Sequence, residues 1–330
     1  MKLTLLTEDV IKEVITPTEA IGAVRDAFAQ SARGKVTMPA ASEMELAGGR
    51  GDMHVKGAFL HDSPYFSYKA ASGFYDNPRR GLPVNSGLVV VFDAGTGFPV
   101  AVLLDNGYLT DLRTGAAGAV AAECLALPRL DKVAILGAGT QARRQLEMLT
   151  AIRSPGRVTV WARRREQAAQ YAAEMSERLE VEVTVAAERR DAVDDAAIVI
   201  TTTPAHEPLI DASWLIPGQH VTAVGADLSE KQEIPAAAFA HIDKIVVDSR
   251  AQALVSGDTH HACAAGVISA EDIHAELGEI VAGLRPGRET SAEITLADLT
   301  GLGAQDAAMA NLVTERALSA GFGRGHVIDL

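Results

Sequence analysis

A glycine-rich turn with the spacing of a phosphate-binding loop lies near the middle of the chain. The apolar run Val133–Leu136 leads into Gly137–Ala142, which fits the GxGxxA pattern. Gly137 allows a tight turn, Gly139 lets a pyrophosphate approach the backbone, and Ala142 keeps the next helix close to the strand. The pattern predicts a dinucleotide site; a strand-to-helix turn without a ligand is the alternative.

Arginines follow the next β-prone run, where NAD-selective sites usually carry an acidic residue. The segment is Trp161–Arg165, and the guanidinium groups of Arg163 and Arg164 suit the 2′-phosphate of NADP. A solvated helix start is the alternative. The sequence therefore favours NADP(H), with NAD(H) as the second cofactor to test.

A short histidine and cysteine cluster could suggest metal binding, whereas the glycine-rich segment 298–306 lacks a calcium-loop pattern. The cluster comprises His260, His261 and Cys263, but zinc needs three or four ligands with characteristic separations, and no partner pair follows elsewhere. We expect no metal site.

Strands and helices alternate around the glycine turn. A helix is predicted over 140–152 and another through Met175, with β-prone runs at 158–161, 181–185, 197–202, 220–224 and 244–247. This alternation predicts an α/β fold with a doubly wound parallel sheet of the Rossmann type.

The N-terminal third has a different pattern. Thr16–Glu19 combines an N-cap hydroxyl, a proline and a capping-box glutamate, so an amphipathic helix should begin there and pack on a sheet. Short β-prone runs over 37–104 predict a mostly antiparallel sheet, and 112–125 an alanine-rich helix. We expect an α+β domain of residues 1–118 and 305–330, including a last helix over 305–320, and a dinucleotide-binding domain of residues 119–304.

Composition and charge exclude several classes of protein. The 330 residues are 48% hydrophobic and 22% charged, and they lack the run of ~20 apolar residues that a bilayer span requires. A formal net charge of -13 disfavours nucleic acid as a partner. Only Cys124 and Cys263 are present, so no disulfide framework is expected. The first residues do not resemble a signal peptide, and we expect a cytoplasmic protein without a membrane partner.

Five motifs, in order along nearly the whole chain, carry a family resemblance. They are Tyr68–Ala70, Leu109–Thr114, Gly137–Ala142, Val224–Asp227 with Lys231–Glu233, and Asp298–Asp306. With them the chain resembles the ornithine cyclodeaminase and mu-crystallin family, in which a dinucleotide domain follows a substrate-binding and dimerisation domain. Ser72–Pro78 and Leu104–Asp111 look most like the ectoine-utilisation branch of that family.

The resemblance implies roles for individual residues. Lys69 and Arg113 match positions that face the substrate, where two fixed cations suit an α-carboxylate. Lys69 is counted as catalytic together with Asp227, which matches the family's proton donor and acceptor; surface charge and a helix N-cap are the respective alternatives. Thr300 matches a substrate contact. The cofactor contacts implied by the same matching, besides those already named, are Ser86, Thr114, Thr140, Gln141, Thr203, Thr222, Val224, Gly225, Lys231 and Leu299.

Glu43 departs from the family pattern. The family has a substrate-binding arginine before Lys69, and here Glu43 takes that place, with Arg50 and His54 nearby. This departure argues against plain ornithine as the substrate. If Glu43 faces the substrate, its carboxylate would favour an additional amino or amide group there rather than a second carboxylate.

The leading functional hypothesis is an NAD(P)-dependent imine reductase or amino-acid oxidoreductase. Its expected substrate is a 2-imino acid or a diaminobutyrate derivative in ectoine or hydroxyectoine breakdown. A redox-neutral, ornithine-type cyclodeaminase with bound NAD and a non-catalytic NADP-dependent binding protein are the alternatives. The resemblance also implies a homodimer formed through the N-terminal sheet, which would cover the edges of that sheet.

Overall fold

The computed structural model describes residues 2–46, 48, 50–74, 76–319 and 327–329 of a chain that divides into two units. Unit 1 comprises Met1–Arg113 and Leu302–Leu330, and unit 2 comprises Thr114–Gly301. Tyr75, which belongs to the motif at 72–78, lies outside the described residues.

The helices and strands follow one another in three stretches. The first contains β1 (Lys2–Thr7), α1 (Glu8–Val14), α2 (Pro17–Ala32), β2 (Val36–Thr37), β3 (Ser42–Leu46), β4 (Gly51–Leu60), β5 (Tyr65–Gly73), β6 (Asn85–Asp93), β7 (Pro99–Leu104) and α3 (Tyr108–Leu125). The second contains β8 (Val133–Leu136), α4 (Thr140–Ile152), β9 (Val158–Trp161), α5 (Arg165–Leu179), β10 (Val183–Val185), α6 (Arg189–Val193), β11 (Ile198–Thr201), β12 (His220–Ala223), β13 (Lys244–Val247), α7 (Arg250–Ala253), α8 (Gly257–Ala264), β14 (Ile273–Glu276), α9 (Leu277–Val281) and β15 (Thr295–Asp298). The last contains α10 (Gly303–Ser319) and β16 (Val327–Asp329).

Unit 1 is built on a mostly antiparallel sheet, as the sequence predicts. Its order is β16-β1-β7-β6-β5-β4-β2, and β3 also pairs with β4. The pairing of β1 with β7 is parallel, whereas the other pairs are antiparallel. Helix α10 packs on β4 and β5 and belongs to this unit.

The capping signal at the start of α2 is confirmed. The backbone N–H of Thr16 donates to Glu19 Oε2 at 3.0 Å, and the N–H of Glu19 donates to Thr16 Oγ1 at 3.4 Å. Helix α2 packs on α10, and α10 in turn contacts β4 and β5. The amphipathic pattern of α2 is confirmed by its buried apolar face, which includes Ile21, Val24 and Phe28.

Unit 2 is a Rossmann-type unit with a parallel sheet, in the order β10-β9-β8-β11-β12-β15-β13-β14. Side chains that alternate along its strands enter two separate apolar clusters. Ile135 and Val160 belong to one cluster with Leu146 of α4, and Leu136 and Val199 belong to the other. Successive strand residues point to opposite faces, so both faces of the sheet are covered, as in a doubly wound fold. Among the described residues, no helix combines the length and apolar character that crossing a membrane requires.

Candidate active-site residues

The glycine turn of unit 2 has the conformation that a dinucleotide loop needs. Gly137 has a φ of +123°, and a Cβ there would lie 2.3 Å from Thr202 Oγ1. A Cβ at Gly139, the N-cap of α4, would meet no atom within 4 Å. The first glycine is therefore required by the fold, whereas the second leaves open space beside the helix N-terminus. That open N-terminus fits a pyrophosphate.

Arg143 stabilises this turn through its carbonyl oxygens, a role that the sequence did not predict. Its Nη1 donates to the carbonyl oxygen of Ala138 at 2.6 Å and to that of Gly139 at 3.2 Å. Its Nε and Nη2 donate to the carboxylate of Glu174 on α5, and this pairing lowers the pKa of Glu174. Arg143 thereby fixes the peptide groups of the turn. The residue after a GxGxxA match has no required type, so no local signal could have identified it.

Arg163 and Arg164 lie directly after β9, where the sequence places them. Both are exposed, and Arg164 is the N-cap residue of α5. The Nε of Arg164 donates to Gln167 Oε1 at 2.9 Å. In Rossmann units the residues that contact the 2′ position of the ribose follow the second strand, and Arg163 and Arg164 follow the second strand of this unit in sequence.

The turns after β11 and β12 meet at one buried carboxylate, Glu233. Its Oε1 accepts from the N–H and Oγ1 of Thr203 at 2.6 and 2.8 Å, and its Oε2 accepts from the N–H of Gly225 at 2.9 Å. The structure thus joins two predicted cofactor residues through a third, Glu233, which belongs to one of the five motifs but was not predicted to have a role. Val224, beside Gly225, is buried, and the Thr222 hydroxyl bonds to His220 Nε2 at 3.0 Å inside the sheet.

Asp227, the predicted proton-exchanging residue, and Lys231, a predicted cofactor contact, form an ion pair. Lys231 Nζ donates to Asp227 Oδ1 at 2.6 Å, and the Asp227 side chain is 51% exposed. The candidate proton-exchanging carboxylate therefore lies at the surface of unit 2 with a cation beside it.

The predicted contacts after β15 are more deeply buried. Leu299 is 4% exposed, and the hydroxyl of Thr300 donates to Asp248 Oδ1 at 3.1 Å. The Thr300 hydroxyl therefore donates its hydrogen bond inside unit 2. The carbonyl oxygen of Thr114, at the start of unit 2, accepts from Gln145 Nε2 at 2.9 Å, and Gln141 and the fully buried Ala142 follow Thr140 in the first turn of α4.

Unit 1 brings Lys69 and Arg113 to one carboxylate, that of Asp306. Lys69 Nζ lies 2.8 Å from Asp306 Oδ2, and Arg113 Nε lies 3.1 Å from Asp306 Oδ1. The three side chains are each less than a tenth exposed. Two cations around one carboxylate leave one net positive charge while Lys69 is protonated.

Burial and charge set the protonation of this cluster. Burial lowers the pKa of Lys69, and Asp306 opposes that effect only in part. For Asp306 burial acts to raise the pKa, but Lys69 and Arg113 outweigh it and hold the pKa below the usual value. Asp306 is thus the ionised partner of the cluster, and Lys69 is an amine that loses its proton more readily than an exposed lysine.

Gln305 adds a neutral donor beside Arg113. Its Oε1 accepts from Arg113 Nη1 at 3.1 Å, whereas its buried Nε2 has no hydrogen-bond partner among the described residues. A buried amide donor without a partner fits a site that binds an acceptor. Asp306 and Gln305 lie inside a motif that carries the resemblance, but neither was predicted to have a role. One signal could have indicated Asp306. If Lys69 and Arg113 are both buried, an anion must be buried beside them.

The remaining predicted residues of unit 1 lie elsewhere in its sheet. Glu43 on β3 is opposite His54 on β4, with Oε1 3.4 Å from His54 Nδ1 and a side chain that is 62% exposed. Ser86 on β6 is exposed and opposite Ser72, and Arg50 lies in the turn before β4. Glu43 thus contacts His54, whereas Lys69 and Arg113 contact Asp306.

Comparison with known proteins agrees with this architecture over the length of the chain. The closely similar solved structures include an archaeal alanine dehydrogenase dimer with bound NAD (TM-score 0.93, 36% identity, 100% of both chains). They also include Thermococcus litoralis Δ1-pyrroline-2-carboxylate reductase in complex with NADH and L-proline (TM-score 0.91, 33% identity, 96% of this chain and 98% of that one). A third is the iminosuccinate reductase of Paracoccus denitrificans in complex with NAD+ (TM-score 0.92, 29% identity, 100% of both chains). Residues 1–321 match the sequence model of the ornithine cyclodeaminase/mu-crystallin family, and the chain therefore belongs to this family.

Proposed function

We propose that the protein is an NAD(P)-dependent imine reductase that acts on a 2-imino acid. The observation that carries the proposal is the buried cluster of Lys69, Arg113 and Asp306, with its single net positive charge. One α-carboxylate would balance that charge, and the unpartnered Nε2 of Gln305 offers it a further hydrogen bond. The relatives that reduce pyrroline-2-carboxylate and iminosuccinate act on compounds of this class.

The chain's own residues suit a dinucleotide cofactor. Gly137 and Gly139 would hold the pyrophosphate, and the nicotinamide ring of the bound cofactor supplies the hydride for reduction of the C=N bond. We propose NADP(H) as the preferred form because Arg163 and Arg164 suit a 2′-phosphate. The related structures contain NAD or NADH, which supports use of the non-phosphorylated form as well.

Reduction of an imine to an amine also needs one proton at nitrogen. We propose that Asp227 exchanges this proton, since its carboxylate is half exposed at the carboxyl edge of the unit 2 sheet. Lys69 is the second proton-exchanging group in the proposal, because the lowered pKa of a buried amine brings it closer to neutral pH.

The finer assignment concerns the substrate and the assembly. The motifs at 72–78 and 104–111 and the glutamate at position 43 support a role in ectoine or hydroxyectoine breakdown, with a diaminobutyrate derivative as product. We also propose a cytoplasmic homodimer formed through the sheet of unit 1, which exposes Met44 and Tyr68. The dimeric archaeal alanine dehydrogenase supports this assembly.

The test is to mix the purified chain with NADPH or NADH and a panel of cyclic imino acids and 2-oxo acids with ammonia or methylamine. Loss of reduced-nicotinamide absorbance with an imino acid is expected. Lys69→Met should strongly slow this loss, whereas Lys35→Met, at an exposed ion pair of the same unit, should not. Release of ammonia from ornithine or diaminobutyrate without net cofactor change would instead indicate a cyclodeaminase. Cofactor binding with neither reaction would indicate a binding protein.

A further inference from the structure

Glu233 is a fully buried carboxylate at the point where the turns after β11 and β12 meet. Its side chain accepts from Thr203 with one oxygen and from Gly225 with the other. Its backbone is also fixed, because its carbonyl accepts from the N–H of Leu209 at 2.7 Å and its own N–H donates to Asp258 Oδ1 at 2.8 Å. The carboxylate is therefore held in place while it bridges the two turns.

The two turns approach each other to backbone contact at Gly225. A Cβ at this position would lie 2.2 Å from the carbonyl oxygen of Thr203 and 2.5 Å from Glu233 Oε2. Strands β11 and β12 are adjacent and parallel, so both turns leave the carboxyl edge of the sheet, where doubly wound units bind ligands. The bridge through Glu233 thus determines the shape of that edge.

The bridge depends on the chemistry of a carboxylate. Three donors, two N–H groups and one hydroxyl, point at two oxygens that can only accept. A glutamine would keep one acceptor oxygen and turn an NH2 group toward a donor. The substitution therefore changes few atoms and breaks at least one side of the bridge.

Burial makes the charge of this carboxylate sensitive to pH, and two further buried carboxyls lie nearby. Asp258 on α8 contacts the Glu233 backbone, and Asp298 on β15 faces Asp258, with both carboxyls buried. Lys231, two residues before Glu233, is paired with Asp227. Burial raises the pKa of Glu233 to about 7, although Thr203 and Gly225 stabilise the ionised form.

We propose that Glu233 is a positioning residue for the dinucleotide: its ionised carboxylate holds the Thr203 and Gly225 turns together, and cofactor affinity falls when the bridge is lost. This inference rests on the proposed cofactor of unit 2. It assigns Glu233 a role in binding through Thr203 and Gly225, without contact between Glu233 and the cofactor.

The test uses the full-length chain, with NADH as the probe because its pyrophosphate does not titrate between pH 6 and 8. Dissociation constants are measured by calorimetry at both pH values for the wild type and for Glu233→Gln, with thermal melting recorded in parallel. We expect Glu233→Gln to bind NADH at least about tenfold more weakly at pH 8, as for loss of hydrogen bonds to a charged group. The wild type should bind more weakly at pH 6 than at pH 8, whereas the Gln variant should lack this pH dependence.

Glu230→Gln is the matched control, since Glu230 is exposed and lies three residues earlier in the same segment. Its affinity should equal that of the wild type. If Glu233→Gln does not fold, Glu233→Asp retains the charge with a shorter reach, and it should bind weakly while remaining pH-dependent. If folded Glu233→Gln binds NADH as tightly as the wild type, the positioning role of Glu233 is refuted, while the proposed cofactor is not. The same holds for Glu233→Asp if that variant is used. A wild type that binds neither NADH nor NADPH would overturn the proposed cofactor as well.

Discussion

Replacement of Asp306 by asparagine should cost more stability than replacement of a comparable exposed aspartate. Asp306 is 5% exposed and lies 2.8 Å from Lys69, which is 7% exposed. Loss of its charge leaves Lys69 and Arg113 buried without a counterion, and removal of one partner from a buried ion pair costs about 3–5 kcal/mol. Because asparagine has nearly the same shape, the loss reflects the charge rather than a cavity.

Asp62→Asn provides the matched control in the same unit. Lys35 Nζ lies 2.9 Å from Asp62, a similar distance, but the Asp62 side chain is 68% exposed. An exposed pair contributes at most about 1 kcal/mol. Urea unfolding should be followed by far-UV circular dichroism as well as fluorescence, because both tryptophans lie in unit 2. Equal free energies of unfolding for Asp306→Asn and Asp62→Asn would refute the assignment of Asp306 as the counterion.

Three further results are expected. Lys69→Met should lower kcat/KM for an imino acid by about 100-fold or more, through lost carboxylate orientation, while calorimetry shows an unchanged Kd for the dinucleotide. Arg163→Ala with Arg164→Ala should raise the Kd for NADPH about tenfold and leave that for NADH nearly unchanged; equal changes would argue against phosphate recognition. The wild type should lose stability relative to Glu233→Gln as pH rises from 4.5, the ordinary pKa of the carboxyl, to about 7, its folded value, by roughly 3 kcal/mol over the interval. The sign follows because the folded state keeps a proton that the unfolded chain releases, and urea titrations at several pH values would measure it.

Local signals predicted the fold where neighbouring residues determine it. The N-cap at Thr16 and the helix over 140–152 depend on contacts within a few residues, and both are confirmed. Strands β14 and β15 escaped prediction because their short sequences mix polar and apolar residues. They become strands through pairing with β13 and with β12, which lie far away in sequence.

The candidate site divides in the same way. Gly137 and Gly139 could be assigned from the glycine pattern, because a tight turn restricts residue type locally. The counterion of Arg113 could not, since Asp306 is 193 residues away in sequence. Likewise, the bridge at Glu233 depends on two turns that only the parallel sheet brings together.

The placement of α10 in unit 1 has a consequence for vectorial synthesis of the protein. Asp306 is the residue 193 positions after Arg113, and synthesis of that stretch takes roughly 10 to 40 s at usual elongation rates. During that interval unit 2 can fold, while the nascent first unit lacks the helix on which α2 packs and the anion that its cations need. The N-terminal sheet therefore stays incompletely covered until α10 has been synthesised, which makes this segment the expected client of a chaperone that binds exposed apolar surface.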